Sequence, residues 1–343
     1  MKKTASLLAG AAVLLAACGA PAAAPAAGPD GADTAITVGY SLPLPDPTYE
    51  LLLAGVTADI EAAGGSVRSA NAQFDPGKQI SDIDSLVTQG VDVLIVGPLD
   101  PRAVRPALDR ARAAGIEVIV QEGTAGPEAY GDVATTTFTR NADAARAAAE
   151  YLAEQVPGGS VGVLAGPPVA DVLVDRNTGF DEGAAAAGLT VFDRQEGNPA
   201  QPDVTGRQIT DAWRTQFGAR MQGVLSFNDE TAVGVVSAFA DDFRPVVVSI
   251  NASQAGVELV RSGAVAATWS LVPVEYGHLL AWAAQEAAAG RDLPPVINIE
   301  MPRVDAENVG SWTPPQERIG QPFTVELEDR GGESYLVLPD GAV

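Results

Sequence analysis

The chain is 343 residues long and carries 44 acidic against 21 basic side chains, a formal charge of −23. Lysine occurs only at Lys2, Lys3 and Lys78, which leaves no basic footprint for nucleic acid. One cysteine and one histidine exclude a disulfide framework and a Cys/His zinc site, and any Ser-His-Asp arrangement would have to use His278. With 46% apolar and 19% charged residues the chain reads as packed and globular, of roughly two domains, and no cofactor is expected.

Residues 1–17 have the form of a processing signal: Lys2 and Lys3, then an apolar run from Ala5 to Ala17 too short to span a bilayer. Leu15-Ala16-Ala17-Cys18-Gly19 resembles a bacterial lipobox, which implies cleavage before Cys18 and lipid on its thiol. Residues 18–34, almost all Ala, Pro, Gly and Asp, form a tether with nothing to bury. The body is therefore expected outside the cytoplasm, anchored to the cell membrane, and processing makes it more acidic still.

From Ala35 the chain alternates β-branched runs with Ala-rich helical stretches, the pattern of a parallel sheet with crossover helices. Expected strands are Ile36–Ser41, Val67–Gln73, Val91–Gly97, Glu117–Gln121, Ser160–Ala165, Thr190–Arg194, Gly223–Phe227, Pro245–Ile250 and Val265–Ser270. Expected helices are Tyr49–Ala63, Gln79–Thr88, Ala103–Ala114, Ala142–Gln155, Val172–Ala187, Gly206–Phe217, Glu230–Ala240, Gln254–Arg261 and Val274–Ala289. Gly64, Gly90, Gly115, Gly188 and Gly290 stand where helix C-caps belong. The number of strands divides the body into two doubly wound α/β lobes with a boundary near Thr135–Asn141. After Val304, Phe323–Glu328 and Tyr335–Pro339 flank Asp329-Arg330-Gly331-Gly332 as an expected hairpin.

Open α/β sheets bind ligands at the carboxyl ends of their strands. The residues there include Asp46 and Tyr49 after the first strand, Asp100 after the third, Glu122 after the fourth, Asn228 and Asn251 in the second lobe, and Trp269 late in the chain. This set is polar and aromatic and poor in nucleophile–base pairs, which suits holding a ligand rather than breaking it. No Gly-x-Gly-x-x-Gly follows the first strand and no calcium loop is present. His278 lacks an acidic neighbour in its motif and reads as a packed or surface residue, and Asp229-Glu230 as solvated charge.

The ordered series Asp46-Pro47-Thr48-Tyr49, Gly97-Pro98-Leu99-Asp100, Asp175-Arg176-Asn177-Thr178-Gly179-Phe180, Phe227-Asn228-Asp229-Glu230 and Ala266-Ala267-Thr268 resembles the periplasmic ribose-binding-like solute receptors of ABC importers. The resemblance implies an α/β fold of two doubly wound, Rossmann-like lobes joined by a three-crossing hinge, the type I periplasmic binding protein. It implies an N-terminal lobe of residues 35–137 plus 273–299, a C-terminal lobe of 138–272 plus 300–310, and a C-terminal extension of 311–343. It also implies closure on a sugar-like ligand, delivery to a membrane permease and a monomeric receptor.

Under the resemblance, Asp46 stands at an asparagine of the family, Tyr49 at one of its two stacking aromatics with Thr48 in place of the other, Arg176 at its ligand-binding arginine and Asn228 at its asparagine. Glu122-Gly123 replaces an Asp-Arg pair, Ser249-Ile250-Asn251 replaces Gly-Phe-Asp, and Leu271 replaces a glutamine. Fewer hydrogen bonds are on offer, so the expected ligand has a larger apolar portion, or is a modified sugar or polyol. Alternatives are a carbohydrate hydrolase using Asp46 and Glu122 across the cleft, and a sensor that docks on a signalling partner.

Overall fold

The computed structural model describes residues 35–123, 125–168 and 170–339. The signal, the tether and Cys18 lie outside the described residues. The chain opens with β1 (Thr37–Leu42), α1 (Pro47–Ala62), β2 (Ser66–Asn71), α2 (Pro76–Thr88), β3 (Val93–Val96), α3 (Pro101–Ala113), β4 (Glu117–Gln121) and β5 (Thr135–Thr139). It continues with α4 (Asn141–Gln155), β6 (Ser160–Ala165), α5 (Asp171–Ala186), β7 (Thr190–Glu196), α6 (Pro202–Phe217), β8 (Gly223–Ser226), α7 (Asp229–Ser237), β9 (Val246–Asn251), α8 (Gln254–Arg261) and β10 (Ala267–Ser270). It returns through α9 (Pro273–Ala288), β11 (Val296–Ile299), β12 (Arg303–Asp305), α10 (Pro315–Arg318), β13 (Leu327–Arg330) and β14 (Glu333–Leu336).

Two sheets result. One has eight strands in the order β13-β14-β11-β5-β4-β3-β1-β2, the other six in the order β12-β10-β9-β8-β6-β7. All pairings are parallel except β13 with β14 and β10 with β12. The fold is thus the expected α/β architecture of two doubly wound units.

Local chemistry explains where helices begin and end. Asp46, Asp75 and Asp100 each precede a proline at the first helical position, and each carboxylate accepts from backbone N–H groups of the opening turn. A side-chain acceptor and a preset φ start the helix together. β3 is buried along its whole length, as a strand covered by helices on both faces must be.

Every expected strand forms, and β5, β11 and β12 are additional. β5 escaped notice because Thr135-Thr136-Thr137-Phe138-Thr139 is polar, yet its four threonines are buried. Three of the four hydroxyls have partners distant in sequence: Thr135 donates to the Pro294 carbonyl at 2.7 Å, Thr137 Oγ1 lies 2.7 Å from the Tyr276 hydroxyl, and Thr139 donates to Glu122, while the Thr136 hydroxyl is buried without one.

α1 and α9 cross at Gly55 and Gly277. A Cβ on Gly277 would lie 2.5 Å from the Leu52 carbonyl oxygen, and one on Gly55 2.8 Å from that of Val274. Backbone on both sides leaves no flexible atom to yield, so Gly277→Ala is expected to cost about 1–3 kcal/mol by overpacking, measurable as a lower denaturation midpoint. An unchanged midpoint would show that the helices can separate without penalty.

The C-terminal segment crosses between the sheets. Trp312 packs with Val257 and Val260 beside the six-stranded sheet, and its carbonyl accepts from Arg261. Arg318 then pairs with the buried Glu275 of α9 at 2.9 Å, and Phe323 stacks on His278 at 5.3 Å. β13 and β14 form the expected hairpin, and β14 extends the eight-stranded sheet beyond β11. His278 is buried as expected, but it has an acidic partner, Asp59 of α1, whose carboxylate lies 2.7 Å from Nδ1.

Candidate functional site

A cavity of about 210 Å³ lies between the carboxyl ends of the two sheets. This is smaller than the roughly 300–1,000 Å³ typical of drug-sized ligand sites. The eight-stranded side contributes Asp46 and Tyr49 at the start of α1, and Glu122 after β4; the six-stranded side contributes Arg176 from α5, Asn228 after β8 and Asn251 at the end of β9. These six are sequence-derived candidates that the structure brings together.

Asp100 and Trp269, expected among the ligand contacts, lie outside this cavity. Asp100 spends its carboxylate on the N–H groups of Arg102 and Ala103 as the α3 cap and does not line the cavity. Trp269 is buried edge-on against Tyr151, at 6.0 Å between ring centres and 78° between planes, in the packing of the six-stranded sheet. Asp46 and Glu122 both rise from the eight-stranded sheet, so they do not face each other across the cleft.

Arg176 is 5% exposed. Its Nε donates to Asn141 Oδ1 and its Nη1 to the Phe227 carbonyl, both at 2.8 Å, which fixes the orientation of the fork. Burial pushes its pKa down to about 10, with the carboxylates of Glu122, Asp229 and Glu230 opposing the shift.

Glu122 sits at φ 55, a left-handed conformation costly for a residue with a Cβ. Its carboxylate accepts from the Thr139 hydroxyl at 2.7 Å, and Thr139 Oγ1 in turn accepts from Asn141 Nδ2 at 2.7 Å. Glu122, Thr139, Asn141 and Arg176 therefore form one hydrogen-bonded chain through the first passage between sheets. Desolvation pushes the Glu122 carboxyl up to about 7 despite the Thr139 bonds and the Arg176 charge.

Asp229, read from the sequence as solvated charge, is fully buried. It accepts from the Ser249 hydroxyl at 2.5 Å, the Thr268 hydroxyl at 2.7 Å and the Ser253 N–H at 2.7 Å, tying three strand ends together behind the cavity. Burial, reinforced by the nearby Glu230, pushes its carboxyl up to about 7.

In the unfolded chain both carboxyls titrate near their ordinary values, so between about pH 4 and 7 the folded protein retains protons the unfolded chain has lost. Stability falls as pH rises through that window, by up to about 1.4 kcal/mol per pH unit for each group. The melting temperature is expected to be higher at about pH 5.5 than at about pH 7.5, and Glu122→Gln to shrink the difference. A melting temperature that climbs with pH would contradict this.

The cavity also holds residues the sequence did not single out. Asn141 and Thr139 come from the first passage, Tyr276 from α9, and Phe74 from the turn after β2. Apolar walls come from Leu44, Leu52, Val172, Leu173, Phe227 and Leu271. The Asn251 Oδ1 is buried without a hydrogen-bond partner, and Asn251 adopts φ 125. Arg176 and Asn251 line the same cavity.

Residues 38–292 match the periplasmic binding protein domain family. The chain belongs to this family, and its role is the capture of a solute rather than its chemical conversion. The ribose import binding protein of Bacillus subtilis is 28% identical over 265 residues, which covers 76% of this chain and 85% of that protein. A xylitol-binding protein of Mycolicibacterium smegmatis is 27% identical over 197 residues, 56% of this chain and 55% of the other. Among solved structures, a Bacillus halodurans solute-binding protein with bound myo-inositol superposes with a TM-score of 0.72 at 20% identity, covering 82% of this chain and 98% of that one.

Proposed function

We propose that this chain captures a small sugar-like or polyol ligand with an apolar face, closes on it by rotation of the two sheet units about their connections, and presents it to the permease of an ABC importer. The observation that carries this reading is the cavity itself. Arg176, its fork already oriented, and Asn251, its Oδ1 without a hydrogen-bond partner, line it, while leucines and aromatics fill the walls where a fully hydroxylated sugar would need donors and acceptors. The ribose and xylitol receptors among its relatives support the substrate class. Asp46, Tyr49, Glu122, Arg176, Asn228 and Asn251 are the proposed ligand contacts, with Tyr49 covering an apolar ring face. The moving units are proposed as residues 35–137 with 273–299 and 138–272 with 300–310. The lipobox supports lipid attachment at Cys18 and a monomer held at the outer face of the cell membrane.

A thermal-shift screen of pentoses, hexoses, polyols and their deoxy and O-methyl derivatives tests the substrate class. A ligand at a hundred times its Kd adds about 2.7 kcal/mol of stability. No shift with any of them, together with cleavage of an oligosaccharide, would overturn the reading. Cys18→Ser is expected to move the protein from the membrane fraction to the soluble fraction.

A further inference from the structure

Phe74 lies in the turn between β2 and α2, a place that none of the strand-end motifs marks. It lines the ligand cavity and the adjoining 60 Å³ recess bounded by Pro98, Leu99 and Asp171. Phe74 is 47% exposed, the largest exposure among the big apolar residues described. It is also held there at a conformational cost. Gln73 and Phe74 are consecutive non-glycine residues with φ of 54 and 63, the left-handed region that disfavours any Cβ.

The surroundings fix this conformation. Asn71 Oδ1 accepts from the Gln73 N–H at 2.8 Å, the Phe74 N–H donates to the Pro43 carbonyl at 2.9 Å, and Asp75 caps α2 directly behind. Lys78, the only lysine of the body, donates to the Asn71 carbonyl at 2.7 Å and pairs with Asp82. A strained backbone that over-determined bonds preserve, carrying an apolar ring left half in solvent at a cavity mouth, points to a use for the ring. Thr48 lines the same cavity beside Tyr49 and offers no ring, while Val172 and Leu173 supply apolar surface from the opposite unit.

We propose that Phe74 is a specificity-determining residue that closes over the apolar face of the bound ligand and selects deoxy or O-methyl derivatives over the fully hydroxylated parent. This rests on the solute-capture reading of the cavity. A ligand carbon in place of a hydroxyl removes the remaining ring surface from water, whereas a hydroxyl against the ring is left without a partner.

The test compares the full-length wild type, Phe74→Ala and Phe74→Gly by calorimetric titration with matched pairs. The pairs are D-fucose and D-galactose, methyl β-D-ribofuranoside and D-ribose, and sequoyitol and myo-inositol. The wild type is expected to prefer the first member of the pair it binds by about tenfold, about 1.4 kcal/mol, and Phe74→Ala to bring that ratio close to one. An unchanged ratio in Phe74→Ala, or a wild-type preference for the parent, overturns the proposal. A ligand-free melt keeps it falsifiable if neither member of any pair binds. Glycine tolerates the left-handed turn, so Phe74→Gly is expected to melt within about 2 °C of the wild type. A fall of more than about 5 °C would make Phe74 a packing residue and overturn its assignment. Failure of every pair to bind would count separately, against the substrate class.

Discussion

Replacing Arg176 with Met is expected to weaken ligand binding by about a hundredfold or more while the protein still unfolds in one cooperative transition. The guanidinium has already given Nε to Asn141 and Nη1 to the Phe227 carbonyl, so a ligand meets an oriented donor and pays nothing to arrange it. A hydrogen bond from a charged donor contributes about 1.5–3 kcal/mol, which corresponds to roughly tenfold to a hundredfold in affinity. Loss of the positive charge beside the carboxylates at the cavity adds to that. Met keeps the volume and spares the fold a cavity, and Lys would be intermediate because a point charge cannot serve Asn141, Phe227 and a ligand together. Calorimetric titration measures the effect. Undiminished affinity in Arg176→Met would remove Arg176 from the site. The same substitution takes away the attraction that opposes the upward shift at Glu122, so the fall of stability with rising pH should steepen.

Asp229→Ala is expected to be the most destabilising single change near the cavity. It leaves two hydroxyls and one backbone N–H without their acceptor in the interior, at about 1–3 kcal/mol for each orphaned group. A loss of about 3 kcal/mol or more lowers the melting temperature by roughly 5–10 °C in a protein of this size. Asp229→Asn keeps the shape and one acceptor oxygen and is expected to lose less than half as much. Because the Asp229 carboxyl is pushed up to about 7 and Asn does not titrate, only the wild type loses stability as pH rises through that window, so the penalty of the Asn variant should be largest at mildly acidic pH and shrink toward pH 7 and above. Equal melting temperatures for Ala and wild type would show that water replaces the carboxylate behind the cavity.

The contrast between Arg176 and Asp229 shows what a sequence discloses. Asp46, Tyr49, Glu122, Asn228 and Asn251 were legible because each stands just past a strand or opens the next helix, where a parallel sheet must place its ligand. Asp100 stands at such a position too, yet its carboxylate is consumed by the helix it caps, and only the hydrogen bonds distinguish that use from ligand contact. Asp229 looked solvated because its acceptors' donors, Ser249, Ser253 and Thr268, lie 20 to 39 residues away. Phe74 follows the edge strand β2, where neither hydrophobic period nor turn chemistry announces that a ring will reach the cavity. The β5 threonines were unreadable as a strand for a related reason: their burial depends on partners contributed by residues 276 and 294, from the far end of the chain.

The order in which the chain visits its sheets bears on how it folds. β1 to β5 are made first, then all of the six-stranded sheet except β12, and only then β11, β13 and β14. The eight-stranded sheet therefore stands unfinished until the chain has been made through Leu336, and its closing pairs are contacts of long sequence separation that form slowly. During that interval β5 is an open edge, the kind of surface on which chains aggregate. Thr135, Thr136, Thr137 and Thr139 line that edge with hydroxyls rather than with the valines and isoleucine of β3, so the strand that waits longest for its neighbour is also the one least adhesive to a stranger.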